Sequence, residues 1–227
     1  MGKFLVIDGL DGAGKETQTE KLAQKLRENG CRVRTLSFPC YESDSSLFVR
    51  KYLNGELGAK PEDTNAYAAS SFFAADRYLS FRTDWGKDIR DPETTVIANR
   101  YTTANAVHQL AKLPESEWDG FLAWLWDYEF DKLGIPVPDL VLYLEMLPEI
   151  SEALIKRRAK ETGRTVDIHE ADRGFLTASY KAARYAAEKL GWVRIVCHEN
   201  GKIRTRQAIH EEILAALKKH GFPGAEK

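Results

Sequence analysis

Apolar residues along this chain follow two rhythms. Short apolar runs at Lys3–Asp8, Arg32–Ser37, Thr95–Ala98, Leu140–Glu145 and Val193–Cys197 read as strands. Longer stretches between them repeat at helical spacing. Thr19, Leu22, Ala23 and Leu26 mark one helix, closed by Gly30. Phe73 and Arg77 lie in another, from about Asp63 to Phe81. Pro148 and Gly163 bracket a helix expected to turn Ile150, Ala153 and Leu154 inward. One more begins near His169 and ends by Gly191. The last starts after the N-cap candidate Thr205 and buries Ile209, Ile213 and Leu217 before Gly221. Strands alternating with helices predict an α/β fold, a parallel sheet covered on both faces. The gap between the second and third strands is about sixty residues, far more than one crossover needs, so it is expected to carry a second ligand's site.

Composition narrows the picture only a little. The 227 residues suit one α/β domain better than two small ones. A hydrophobic fraction of 43% supports a core, and a net charge of −1 argues against nucleic-acid or membrane binding through bulk charge. No apolar stretch reaches transmembrane length and no signal peptide is seen, while Cys31, Cys40 and Cys197 are odd in number and scattered. Together these point to a cytoplasmic protein with reduced thiols.

The first strand runs into Gly9-Leu-Asp-Gly-Ala-Gly-Lys-Glu-Thr17, then into a helix. Gly9, Gly14 and Lys15 fit the phosphate-loop pattern G-x-x-x-x-G-K-[ST], and strand, glycine loop and helix are the context it requires. The backbone amides of Gly9, Gly12, Ala13 and Gly14 and the helix N-terminus suit a triphosphate, with Lys15 as the mobile charge and Thr17 toward the α-phosphate. Glu16, however, stands where Ser or Thr should hold magnesium.

Two further patterns concern a second substrate. Phe73 and Arg77 are four apart on one helix face, a ring to stack on a nucleobase and a guanidinium to donate to its carbonyl; a core Phe beside a surface Arg has the same spacing. The third strand ends in Asn99-Arg100-Tyr101. Ligands of an open parallel sheet sit at the carboxyl ends of its strands, so Arg100 either grips a phosphoryl group there or is solvated at the rim.

These pieces, with Phe38-Pro39 after the second strand and a basic segment after Arg157, resemble the bacterial thymidylate kinases in order over nearly the whole chain. The resemblance implies a three-layer P-loop NTPase fold with a five-stranded parallel sheet in the order 2-3-1-4-5. It implies a single domain over residues 1–227, an acceptor insertion at about 40–95 and a mobile lid at about 157–172. The implied reaction is transfer of the γ-phosphoryl group of ATP to dTMP, with Mg²⁺, in a homodimer. Phe73 would stack on thymine, Arg77 would donate to O4 and Asn105 would read the base's other edge. Asn105 on a solvated helix surface is the competing picture. Asp11 resembles the acid that contacts the 3′-hydroxyl, and Arg100 would bind the acceptor phosphate, helped by Tyr41 in the segment after Phe38. His108 stands where the family often carries a ring near the deoxyribose 2′ carbon, or else is simply packed. Arg157, Arg158 and Arg164 form the lid candidate, Arg164 first among them as catalytic, unless they are a solvated helix end. Asp167, His169 and Glu170 follow without a sharp role.

This chain departs from the family twice. Asn99 replaces the usual Asp of Asp-Arg, and Glu16 replaces the magnesium-binding hydroxyl residue. Either the metal-organising acid has moved to Glu16, or Glu16 faces solvent and Mg²⁺ is held by phosphates, Asp11 and water. Rival functions are a kinase for another deoxynucleotide or nucleoside, and a catalytically silent nucleotide-binding homologue.

Overall fold

Phe4, Leu5, Val6 and Ile7 are all buried because their strand is covered on both faces, and alternate side chains serve different layers. The computed structural model describes residues 1–163 and 167–225. Strands β1 (Lys3–Gly9), β2 (Arg32–Ser37), β3 (Thr94–Asn99), β4 (Leu140–Glu145) and β5 (Val193–Val196) pair in parallel in the order β2-β3-β1-β4-β5. Val6 lies between Ala98 and Val141 in register. With β1 central, the chain order reverses around it and opens a crevice at its carboxyl end.

Helix α1 (Lys15–Glu28) packs Leu22 and Leu26 on Leu5 and Ile7. Thr19, Leu22, Ala23 and Leu26 are all buried, and Gly30 takes a positive φ just past the helix end. On the opposite face Phe4 and Val6 meet Trp85, Ile89 and Tyr101. The long insertion folds as α2 (Leu47–Leu53), α3 (Ala66–Ser80), a π-helical turn at Phe81–Trp85 and α4 (Gly86–Arg90). Helix α3 starts three residues later than its apolar spacing suggests, because Asn65 Oδ1 caps Ala68 N–H at 2.8 Å and Pro61–Asp63 forms a separate turn.

After β3 come α5 (Thr102–His108), α6 (Trp118–Trp126) and a π-helical stretch at Asp127–Lys132. Beyond β4 lie α7 (Pro148–Thr162), α8 (Ile168–Ala171) and α9 (Arg173–Lys189). The expected helix from His169 to Gly191 is thus two, since Asp172 caps α9 through Phe175 N–H at 2.9 Å. In α7 Pro148, Ser151 and Ile155 are buried, Ile150 and Leu154 are half-buried, the first against the core and the second beside Gly12, and Ala153 is exposed rather than inward. This helix lies on the phosphate loop, where a small Ser fits: a Cβ on Gly12 would come 3.0 Å from Ser151 O. A short hairpin, β6 (His198–Glu199) and β7 (Lys202–Ile203), precedes α10 (Arg206–Lys219). Thr205 caps α10, and Ile209, Ile213 and Leu217 are buried as expected. Among the tryptophans, Trp85 and Trp118 are core, Trp124 is half-buried and Trp126 is exposed.

Candidate active site

Gly9 ends β1 where only a glycine fits, since a Cβ there would meet Leu144 O at 2.6 Å. The loop then turns through Gly14, whose φ of 84° sets it as the N-cap of α1. The first-turn amides of α1 have no helical acceptor and face a cavity of about 510 Å³ lined by the loop, so they form a ready anion site. Lys15 is folded back on its own loop, donating to Gly9 O at 2.9 Å and Leu10 O at 2.8 Å. Burial, then the nearby Arg100 charge, lowers its pKa to about 8, with Asp11 and Asp8 opposing. Glu16 and Thr17 line the same cavity, Glu16 exposed and outside every ion pair among the described residues.

A charged knot occupies the crevice. Arg100 follows β3 with φ of 65°, a strained conformation for a bulky residue, and its N–H bonds Ile7 O at 3.0 Å. Its guanidinium donates to Asp11 Oδ1, lies 3.6 Å from Asp8 Oδ1 and donates to His108 Nε2 at 3.1 Å. Asp8 is itself fixed by Thr103 Oγ1 and by Gly9 N–H at 2.8 Å. Burial pushes the Asp11 carboxyl up, but Arg100 and then Lys15 outweigh it and hold the group well below the usual range. Burial, then Arg100, drives His108 down to about 3, so it is a neutral ring whose Nε2 accepts. Its ring stacks on His169 at 5.2 Å, and His169 Nε2 lies 2.7 Å from Tyr52 OH. The solvated-rim picture of Arg100 is therefore set aside.

At the far end of the cavity stand Phe73, Arg77 and Asn105. Arg77 is no surface residue: it is 1% exposed, held by Glu129 through Nε at 2.7 Å and Nη2 at 2.6 Å, with Nη1 on Tyr101 O at 3.3 Å. Asn105 is 1% exposed, not helix surface, and donates to Ser70 O at 3.2 Å and Glu129 Oε1 at 3.0 Å. Phe38 lines the cavity floor with its ring largely in the core, 5.8 Å from Tyr101. Tyr41 is exposed at the rim, on a segment that Asp76 fixes by accepting from Cys40 N–H at 2.8 Å and from Ser45 Oγ.

Two arginines of the basic segment lie among the described residues. Arg157 and Arg158 lie in the last turns of α7 and line the cavity; Arg157 pairs with Glu161 at 3.7 Å and Arg158 with Glu170. Arg164 lies outside the described residues. Asp167 caps α8 through His169 N–H and Glu170 N–H, and burial, then Asp11 and Glu170, raises it to about 7.

Sequence reasoning passed over Asp8, Glu129, Arg204 and Arg206. The two arginines line the cavity beside the phosphate loop. Glu129 had a readable signal: it lies four residues past Leu125 and carries the buried stripe of α6 on into the π-helical stretch, a costly place for a carboxylate without a partner. For Asp8, last but one in a buried strand, the signal was a charge closing an apolar run.

A phosphate loop at the switch point of a parallel sheet, joined by one cavity to a buried Arg and a ring, defines a nucleoside-monophosphate kinase architecture. The thymidylate kinase family model matches residues 7–209, and the chain belongs to that family. It is 35% identical to the thymidylate kinase of Mycobacterium tuberculosis (strain H37Rv) over 171 residues, 74% of this chain and 78% of that protein. A probable thymidylate kinase of Methanosphaera stadtmanae is 32% identical over 146 residues, 63% of this chain and 67% of the relative. A solved thymidylate kinase from Candida albicans superposes with a TM-score of 0.68 at 20% identity, covering 99% of this chain and 94% of that one, a likeness of fold.

Proposed function

We propose that this chain transfers the γ-phosphoryl group of ATP to a phosphate oxygen of dTMP, giving ADP and dTDP. The observation that carries this reading is the single cavity running from the phosphate loop to Phe73, Arg77 and Asn105. ATP binds with its phosphates on the amides of Gly9 to Thr17. Lys15 leaves the carbonyls of Gly9 and Leu10 for the β- and γ-phosphates, a short move for a long side chain. Thymine stacks on Phe73, with Arg77 on O4 and Asn105 on the ring N–H. Arg100 holds the acceptor phosphate and Asp11 the 3′-hydroxyl, while the His108 ring closes the 2′ side and Tyr41 the rim. The acceptor oxygen is already ionised, so positioning and charge neutralisation suffice and no side-chain base is required. Arg157 and Arg158, with Arg164, neutralise charge as the phosphoryl group leaves ADP.

The donor set suits a metal carried by the nucleotide. Among the described residues no group of three or more His, Cys, Asp or Glu could hold an ion, and Mg²⁺ commonly takes only one or two carboxylates beside phosphates and water. Glu16, exposed on the cavity beside the phosphate loop and in no ion pair among the described residues, is a carboxylate that could reach the ion; Asn99, whose Oδ1 is buried without a partner, adds no second charge. Asp11 is already committed to Arg100. When bound, Mg²⁺ supplies charge neutralisation on the donor phosphates.

The reading includes a single domain, a cytoplasmic location and a homodimer. No described helix is long and apolar enough to cross a membrane, and exposed Leu79 and Trp126 offer apolar surface to a second copy. The deciding experiment is ADP release with a panel of dTMP, dCMP, dGMP and free thymidine as acceptors. Turnover of dTMP above the others is expected. Faster turnover of another acceptor, or ATP binding without ADP formation, overturns the assignment.

A further inference from the structure

We infer that Glu129 is the positioning residue for base selection: one buried carboxylate sets Arg77 as a donor and Asn105 as an acceptor toward the acceptor's base. This rests on the acceptor-site reading above. Glu129 is 0% exposed and accepts three hydrogen bonds, from Arg77 Nε and Nη2 and from Asn105 Nδ2. The orientation of the Asn105 amide follows from chemistry alone. Its two partners, the Glu129 carboxylate and the Ser70 carbonyl, are both acceptors and have no proton to give. The NH₂ group must therefore face them. The carbonyl oxygen Oδ1 has no partner among the described residues and is left to the cavity that Asn105 lines.

The cavity wall thus offers a fixed pair: an N–H donor from Arg77 and a carbonyl acceptor from Asn105. A thymine or uracil edge supplies the complement, an O4 acceptor beside an N3–H donor. Cytosine reverses both, with an amino group at position 4 and a bare N3. A free asparagine amide could turn over to suit either edge. Glu129 forbids the turn, because a flipped amide would set Oδ1 against a carboxylate oxygen at about hydrogen-bond distance. A site built to hydrogen-bond one pattern rejects the other strongly, since its buried groups would be left unpaired. Glutamine at position 129 removes this lock. With its Nε2 in the place of Oε1 it can donate to Asn105 Oδ1, giving up the Arg77 Nη2 contact while its oxygen keeps Arg77 Nε, so no carboxylate bars Asn105 from turning its NH₂ to the base.

The test compares wild type and Glu129→Gln in steady-state kinetics with dTMP and 5-methyl-dCMP, which differ only in the edge being read. For Glu129→Gln, KM for dTMP should rise at least tenfold with kcat within about threefold, and the dTMP preference over 5-methyl-dCMP should fall at least tenfold. An unchanged preference in a folded variant overturns the proposal, as does a fall in kcat with KM unchanged, which a merely structural role would give. If Glu129→Gln does not fold, titration of wild type with dTMP and N3-methyl-dTMP decides. At least tenfold weaker binding of the methylated nucleotide is expected, and equal binding overturns the proposal. Failure of the underlying reading is distinguishable, because wild type would then not phosphorylate dTMP at all.

Discussion

Replacing Glu129 by Ala should be among the most destabilising single changes in this protein. It leaves Arg77, 1% exposed, without its counter-charge in the core. Breaking a buried pair from one side costs about 3–5 kcal/mol, because the surviving charge stays desolvated. That is a large share of the roughly 5–15 kcal/mol that holds a domain together. At about 2–4 °C per kcal/mol for a chain of this size, the melting temperature should fall by about 6–20 °C. Thermal unfolding followed by circular dichroism, at 0.15 M and at 1 M NaCl, reads the effect. The deficit should persist in high salt, since ions screen buried pairs little. The double variant Arg77→Met/Glu129→Met should recover most of the loss, because no lone charge remains. A fall below about 3 °C, or one that vanishes at 1 M salt, would refute the reasoning and show that the pair is solvated.

Three other outcomes follow from the site. Lys15 has a pKa of about 8 in the free protein and is charged below it, so kcat/KM for ATP should fall as pH rises through about 8, while kcat holds to higher pH because bound phosphates favour the ammonium. A pH profile of kcat/KM flat to pH 10 contradicts this. Gly9→Ala would bring a Cβ to 2.6 Å from Leu144 O, so the loop must shift, and weakening of ATP binding by at least tenfold is expected by calorimetry, against a folded control. Glu16→Ser should alter the Mg²⁺ concentration needed for half-maximal turnover, and an unchanged requirement removes Glu16 from the metal's surroundings.

Much of the site was legible because its parts are local. The phosphate loop is contiguous, and its glycines answer to backbone geometry that neighbours in sequence impose. Phe73 and Arg77 share one helix face by spacing alone, and Arg100 is placed by the end of its strand. What spacing left open was the environment of each side chain. The same four-residue interval fits a surface arginine or a buried one, and only Glu129, 52 residues away, decides for burial. Asn105 likewise looked compatible with a solvated helix until Ser70 and Glu129 closed around it. In α7, Ile150 packs on the core and Leu154 on the phosphate loop as their spacing suggests, but Ala153 is exposed and Ser151 is buried, because the loop backbone comes close enough there that a small residue fits.

By itself the sequence determined the five strands of the sheet, several of the helices between them, the triphosphate loop and the class of chemistry, since periodicity and short motifs report interactions between near neighbours. Only the tertiary structure decided which charges are paired. Arg100 with Asp8 and Asp11, and Arg77 with Glu129, join residues from separate elements. Their energies depend on burial and on distances of a few ångströms, and no one-dimensional pattern carries either quantity.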